Sequence, residues 1–284
     1  MTNPYDIGLD QNPANYQPLT PLTFLERAAM VFPNQTAVIH GSLRRNYAAL
    51  YARCRQLASV LAAAGFGRGD TVSVMLLNTP AMIEAHYGVP MSGAVLAKGN
   101  PQLIIYDDAE FDGPRSGYDE TEYETFIASG DADFAWKMPD DEWDAITINY
   151  TSGTTGDPKG VVYHHRGAYL LAQGNALTAS MKKQAVYLWT LPMFHCNGWC
   201  FPWTISAISG THVCLREVRA EDIWNAILEH RVSHMCGAPI VMSLVVAGKP
   251  ANAKLDYEVE FFTAAAPPPE AVLAAMKDAG FNVT

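Results

Sequence analysis

The chain has 284 residues, 49% of them hydrophobic and 17% charged, and a formal net charge of −10. That is globular, core-forming composition for one large or two ordinary domains, and it excludes a disordered, collagenous or low-complexity chain. Residues 107–144 hold 14 of the 29 acidic residues against Arg115 and Lys137 alone, so the remainder is near neutral and offers no basic face for generic nucleic-acid binding.

Residues 1–6 have neither a basic start nor an apolar run, so no secretory signal is read there. Thr20-Pro21-Leu22-Thr23 opens a helix with Leu22, Leu25, Ala28 and Ala29 on one face, stopped by Pro33. Residues 36–40 read as a strand. Leu50, Cys54, Leu57, Ala58 and Leu61 then recur at helical spacing up to Gly65. The glycine-rich run 65–70 precedes a strand instead of following one and lacks GxGxxG spacing, so it reads as a turn. A strand over 71–77 and a helix from Pro80 follow. Asn78, Pro80, Glu84, His86 and Pro90 interrupt the apolar stretch 72–97, so no membrane span is expected. Strand and helix alternating in this way predict a parallel sheet.

Residues 94–97 and 102–106 read as strands joined by Lys98-Gly99-Asn100-Pro101. A parallel crossover needs roughly a dozen residues. The pair is therefore antiparallel, or a unit is missing between its members. The acidic segment 107–144 reads as a solvated connection. Strands are predicted at 145–150, 161–163, 187–191, 211–215 and 233–236, with helices from about Arg166, at 220–230 and at 268–279. Phe281 begins a last strand. The expected division is a first α/β subdomain over 1–106, the acidic connection over 107–144 and a second α/β subdomain over 145–284. Five cysteines without a CxxC pair point to reduced thiols in a cytoplasmic protein.

Chemistry concentrates in Tyr150-Thr151-Ser152-Gly153-Thr154-Thr155-Gly156-Asp157-Pro158-Lys159-Gly160, directly after an apolar strand. Glycines let backbone N–H groups approach an anion, the hydroxyls donate further hydrogen bonds, and Lys159 supplies a cation of the right reach for phosphate. The spacing is not that of a P-loop. His195-Cys196-x-x-x-Cys200 matches no common zinc pattern, and His230 and His234 do not share a helix, so no metal site is assigned. His164-His165-Arg166, near a helix start, reads either as a phosphate grip or as packing and solvated histidines. No GxSxG elbow is present.

The hydroxyl- and glycine-rich run resembles the signature loop of the AMP-forming adenylating enzymes, among them the acyl-CoA synthetases. Pro192-Met193-Phe194-His195-Cys196-Asn197-Gly198-Trp199 resembles the family's second motif, and Cys236-Gly237-Ala238-Pro239 and Ala264-Ala265-Ala266-Pro267 resemble two more. The resemblance implies an α/β fold of layered, mostly parallel sheets: an incomplete large N-terminal domain of an adenylate-forming enzyme. It also implies activation of a carboxylic acid by ATP with Mg2+, then transfer to coenzyme A. Thr151, Ser152, Gly153, Thr154, Thr155, Gly156 and Lys159 would cradle phosphate, with Lys159 and His195 catalytic. His195 and Trp199 would line the acyl pocket, and Ala265, Ala266 and Pro267 would pack on adenine, although the family commonly has glycine near Ala264 and Ala265. Without an aspartate beside His195, an unsubstituted acid is expected, as in fatty-acyl or short-to-medium-chain acyl-CoA synthetases, including methylthioalkanoate-CoA ligases, with chain length open. The family's magnesium-binding glutamate loop, ribose-binding aspartate and small C-terminal domain follow the strand that Phe281 begins. The expectation is therefore an internally shortened, C-terminally truncated synthetase of crippled activity; the alternative is a non-catalytic nucleotide-binding or interaction protein derived from the same family. Oligomeric state is not read from the sequence.

Overall fold

The computed structural model describes residues 3–96, 104–113, 121–151, 157, 159–264 and 266–284. Helix α1 (Leu22–Val31) begins beside Thr20, whose hydroxyl accepts the Leu22 amide. Strands β1 (Thr36–His40) and β2 (Leu43–Asn46) form an antiparallel pair. Asn46 caps α2 (Tyr47–Ala63) by accepting the Ala49 amide at 2.8 Å, as a short polar side chain does for an otherwise unpaired donor. The strand expected over 71–77 pairs only at β3 (Thr71–Val72).

All twelve residues of α3 (Pro80–Met91) are buried, which is why its sequence is apolar all round rather than striped. The one carboxylate on it, Glu84, is fully buried and fully engaged. Arg53 reaches it at 2.6 Å, Arg45 at 2.9 Å and the Tyr123 hydroxyl at 2.7 Å. A buried charge is tolerated only with partners of this kind.

Beyond α3 come β4 (Val95–Leu96), β5 (Ile104–Ile105), β6 (Thr121–Glu122), α4 (Tyr123–Ala128), β7 (Ala145–Thr151), β8 (Lys159–His164) and α5 (His165–Thr178). The antiparallel option for the strands flanking 98–101 does not hold among the described residues. β4 lies between β3 and β7, parallel to both, whereas β5 pairs parallel with β6 in a separate two-stranded sheet. Lys98, Gly99, Asn100 and Pro101 lie outside the described residues.

The acidic segment is less solvated than its charge predicts. Asp108 is 6% exposed, held by His40 Nε2 at 2.9 Å and by Arg216. Tyr123 and Ile127 of α4 are buried. The partners come from 68 and 108 residues away, which local charge counting does not see.

The chain continues through β9 (Val186–Trp189), α6 (Cys196–Trp199), α7 (Phe201–Ala207), β10 (Thr211–Cys214), α8 (Ala220–His230), β11 (His234–Gly237), α9 (Pro239–Ala247), β12 (Val259–Thr263), α10 (Glu270–Asp278) and β13 (Phe281–Val283). The largest sheet has the order β13-β12-β11-β9-β10-β1-β2, parallel except for the β1–β2 pair. The second has the order β3-β4-β7-β8, closed by the antiparallel β7–β8 hairpin. β1 and β2, from the first hundred residues, thus complete a sheet built by the last hundred. Among the described residues no helix is long and apolar enough to cross a membrane.

Candidate functional site

Strands β9, β11 and β12 are parallel neighbours, so their carboxyl ends open on one side of the sheet. In open α/β sheets that edge is where ligands bind, because loops leaving adjacent strands converge there. Three of the motif segments leave from it. They are the stretch 190–195 after β9, Ala238-Pro239 after β11, and Ala264 to Pro267 after β12.

The hydroxyl- and glycine-rich segment joins β7 to β8, with Thr151 and Lys159 as the terminal pair of the hairpin. Both are exposed. Among the described residues Lys159 forms no ion pair with a carboxylate. Ser152, Gly153, Thr154, Thr155 and Gly156 lie outside the described residues, as does Ala265. Ala266 and Pro267 are exposed between β12 and α10.

The segment that carries His195 is clamped by a residue from the connection that follows β3. Buried Asn78, between β3 and α3, donates from Nδ2 to the carbonyls of Trp189 at 2.9 Å and Leu191 at 3.1 Å, and accepts the Met193 amide at 2.8 Å. Thr190 donates to the Cys236 carbonyl at 2.6 Å, which fixes the same segment to β11. Trp189 Nε1–H donates to His212 Nδ1 at 3.1 Å, so His212 carries its proton on Nε2. His86 Nδ1 donates to the Met82 carbonyl at 2.7 Å, leaving its Nε2 an acceptor. Burial pushes these imidazoles down to about 3 for His212 and about 4 for His86, so both are neutral near pH 7.

His195 itself is exposed at the head of an unusual turn. The five residues Cys196, Asn197, Gly198, Trp199 and Cys200 all have positive φ, between 49° and 65°. They form a left-handed turn, which costs an L residue about 1–2 kcal/mol each. Only Gly198 is exempt, and a side chain there would meet the Trp189 ring at 2.7 Å. Strain of this kind persists only where surroundings enforce it, and it concentrates at functional sites. Asn197 Nδ2 donates to Thr147 Oγ1 at 2.7 Å, and Asn175 Nδ2 to the Trp199 carbonyl at 2.7 Å. Tyr163 of β8 lies against the same turn. Its burial, with the neighbouring Cys196 and Cys200 thiols, pushes the phenol up to about 12.

Trp199 is half-buried and meets Phe262 of β12 edge-on, with ring centroids 6.2 Å apart. Phe262, Phe201, Tyr187 and Cys236 line a cavity of about 10 Å³. That is space for roughly one water molecule. The fold therefore brings Trp199 to the strand that leads into Ala266 and Pro267, and ties the turn after His195 to the β7–β8 hairpin at Thr147 and Tyr163. Sequence reading missed the roles of Asn78, Asn175 and Asn197. The only signals were Asn78 interrupting an apolar run and an Asn-Gly pair at 197–198, both residue types that favour special backbone conformations.

A family model described as AMP-binding enzyme matches residues 25–110 and 104–284. The peroxisomal acetate/butyrate–CoA ligase AAE7 of Arabidopsis thaliana is 43% identical over 97% of this chain and 58% of its own length. The acetate–CoA ligase CCL3 of Humulus lupulus is 41% identical over the same shares. The chain thus spans a little under three fifths of these relatives. The AAE7 alignment runs over 328 positions for a chain of 284 residues, so tens of aligned positions there have no counterpart here. Among solved structures, the inhibitor-bound N-terminal domain of FACL13 from Mycobacterium tuberculosis superposes with a TM-score of 0.80 at 25% identity, over 93% of this chain and 74% of that one. The MenE O-succinylbenzoate coenzyme A synthetase of Bacillus subtilis, in complex with AMP, shares the fold with a TM-score of 0.77 at 22% identity, over 94% and 58%.

Proposed function

Because this chain belongs to the AMP-binding enzyme family, we propose that it serves an AMP-forming acyl-CoA ligase acting on a short carboxylic acid. The observation that carries this reading is that three motif segments leave the carboxyl edge of the large sheet while the turn after His195 is tied to the β7–β8 hairpin of the second sheet through Asn197 and Thr147. In the proposed first step a carboxylate oxygen attacks the α-phosphorus of ATP, a P–O bond forms, and the bond to pyrophosphate breaks. In the second, the sulfur of coenzyme A attacks the acyl carbon, AMP leaves with the bonding pair, and the thiol proton passes to solvent.

Lys159 and the backbone and hydroxyl donors of its hairpin would bind the charge that builds on the departing pyrophosphate, where fixed donors lower a barrier most. His195 would sit against the acyl-phosphate junction. Among the described residues no group of three or more His, Cys, Asp or Glu is arranged to hold a metal ion. Magnesium is accordingly proposed to arrive bound to the triphosphate, the usual mode for an ion that keeps phosphate and water ligands.

Short acids fit a site whose far wall would be the edge-on contact of Trp199 with Phe262. The names of the acetate and butyrate ligases AAE7 and CCL3 point the same way, so this reading takes the short end of the chain lengths that the motifs leave open. We further infer an internal shortening between β4 and β5, supported by the family match in two segments that meet at residues 104–110 and by the tens of AAE7 positions without a counterpart here. Five free cysteines fit a cytoplasmic setting.

Titration calorimetry with Mg-ATP, beside carboxylate-dependent ATP–pyrophosphate exchange, tests the reading. Mg-ATP should bind, and Lys159→Ala should weaken binding about 10–100-fold, as expected for a charge-assisted phosphate contact. A chain that binds no Mg-ATP, or a variant that binds it unchanged, refutes the proposal. Binding without any acid-dependent exchange would instead identify the non-catalytic nucleotide-binding alternative.

A further inference from the structure

We propose that Asn197, acting through Thr147, is the positioning residue that sets His195 against the phosphate-binding hairpin. The inference rests on the acyl-adenylate reading above and extends it to a contact outside the motif's presumed ligands. Two observations carry it.

The first is conformational. His195 heads five consecutive left-handed residues, four of which bear side chains that disfavour that backbone. Such a turn has a lower-energy alternative at every step and keeps its shape only through what surrounds it. Asn175 holds the Trp199 carbonyl at 2.7 Å, Thr204 holds the Cys200 carbonyl at 3.1 Å, and the Trp189 ring backs Gly198. These three partners belong to α5, α7 and β9. They fix the turn to the first sheet and to the helices packed on it.

The second is topological. Beside the contact of the Cys196 thiol with Tyr163, Asn197 carries the buried amide hydrogen bond from the turn to the other sheet. Its Nδ2 donates to Thr147 Oγ1 at 2.7 Å, and both residues are buried, at 3% and 0% exposure. Thr147 is on β7, four residues before Thr151, where the hydroxyl- and glycine-rich segment begins. A strand is stiff over that distance, so the Asn197–Thr147 bond ties the place of His195 to the place of the phosphate loop. Asparagine meets both demands. It tolerates left-handed φ better than most residues, and its amide supplies the donor that Thr147 needs.

Removing the donor and removing the conformational tolerance are separable. Asn197→Gly keeps the left-handed backbone and loses the bond; Thr147→Val keeps the side-chain shape and loses the acceptor; Thr147→Ser restores the acceptor. The probes are AMP and a non-hydrolysable butyryl-adenylate analogue, measured by calorimetry on the full chain, with the His195 ring 13Cε1 signal followed by NMR without ligand. Asn197→Gly and Thr147→Val should each weaken the butyryl analogue about tenfold, the worth of one buried hydrogen bond, while AMP changes less than about threefold. The double variant should be no worse than either single one. The His195 signal should shift and broaden in both and recover in Thr147→Ser.

Equal loss for AMP and the analogue would show general loosening and overturn the proposal. So would additive effects in the double variant, or a His195 signal that does not respond. Wild-type chain that binds neither ligand sinks the ligase reading. The ligand-free His195 signal still decides the positioning claim.

Discussion

Lowering the pH from 7 to 5 is expected to drain stability through three imidazoles that fold neutral. Burial holds His86 and His165 at about 4 and His212 at about 3, against 6.5 in an unfolded chain. His165 accepts or shares a proton with Thr20 at 2.8 Å, and His86 and His212 are each committed through Nδ1. The folded state therefore binds fewer protons than the unfolded state between pH 6.5 and 4. Their contribution is fully present above about 6.5 and is lost as the pH falls towards the folded values. Near pH 5 unfolding takes up close to three protons from these groups, so stability should fall by roughly 3–4 kcal/mol per pH unit. Urea unfolding at pH 5, 5.5, 6 and 7 reads this slope directly. His86→Gln should reduce it by about one proton. A slope corresponding to less than one proton, or one that His86→Gln leaves unchanged, refutes the assignment of these imidazoles as neutral and buried.

Asn78→Ala removes three hydrogen bonds to buried main-chain groups and should cost about 3 kcal/mol in urea unfolding at pH 7, whereas exposed Asn282→Ala should stay within about 0.5 kcal/mol. Burial raises the Asp108 carboxyl, but bonds from His40, the Glu110 amide and Arg216 outweigh it and hold it at about 2. Its contribution, roughly 2 kcal/mol, is present above about pH 4 and lost as the pH falls to 2; Asp108→Asn should flatten the stability curve in that window. Trp199→Ala should open the acyl end of the site towards the cavity behind Phe262. Adenylate analogues with longer chains should then gain up to about 0.8 kcal/mol per added CH2, measured by calorimetry along a chain-length series.

Much of the fold was legible because its elements announce themselves locally. Residues 220–230 carry clean helical periodicity, and the strands at 145–151 and 159–164 bracket an unmistakable motif. Residues 71–77 were overcalled because apolar character signals burial, and Val74 and Leu76 are inward-facing without being paired. Asp108 was misjudged for the converse reason: its partners are distant in sequence. The site motifs singled out His195, Trp199 and Lys159. They did not reveal Asn78, Asn175 or Asn197, since a buried asparagine and a solvated one look alike until the carbonyls they satisfy are in view.

Helix α3 has a consequence for how the protein is made. Its Tyr87 hydroxyl donates to the Pro202 carbonyl and Trp203 Nε1 donates to the His86 carbonyl, so part of its cover is α7. A ribosome adding 5–20 residues each second needs about 5–20 s to travel from Met91 to Phe201. For that interval a helix whose every residue ends up buried waits for the segment that will shield it. Slow translation or scarce chaperones should therefore penalise the nascent chain at this helix before any step of catalysis is at stake.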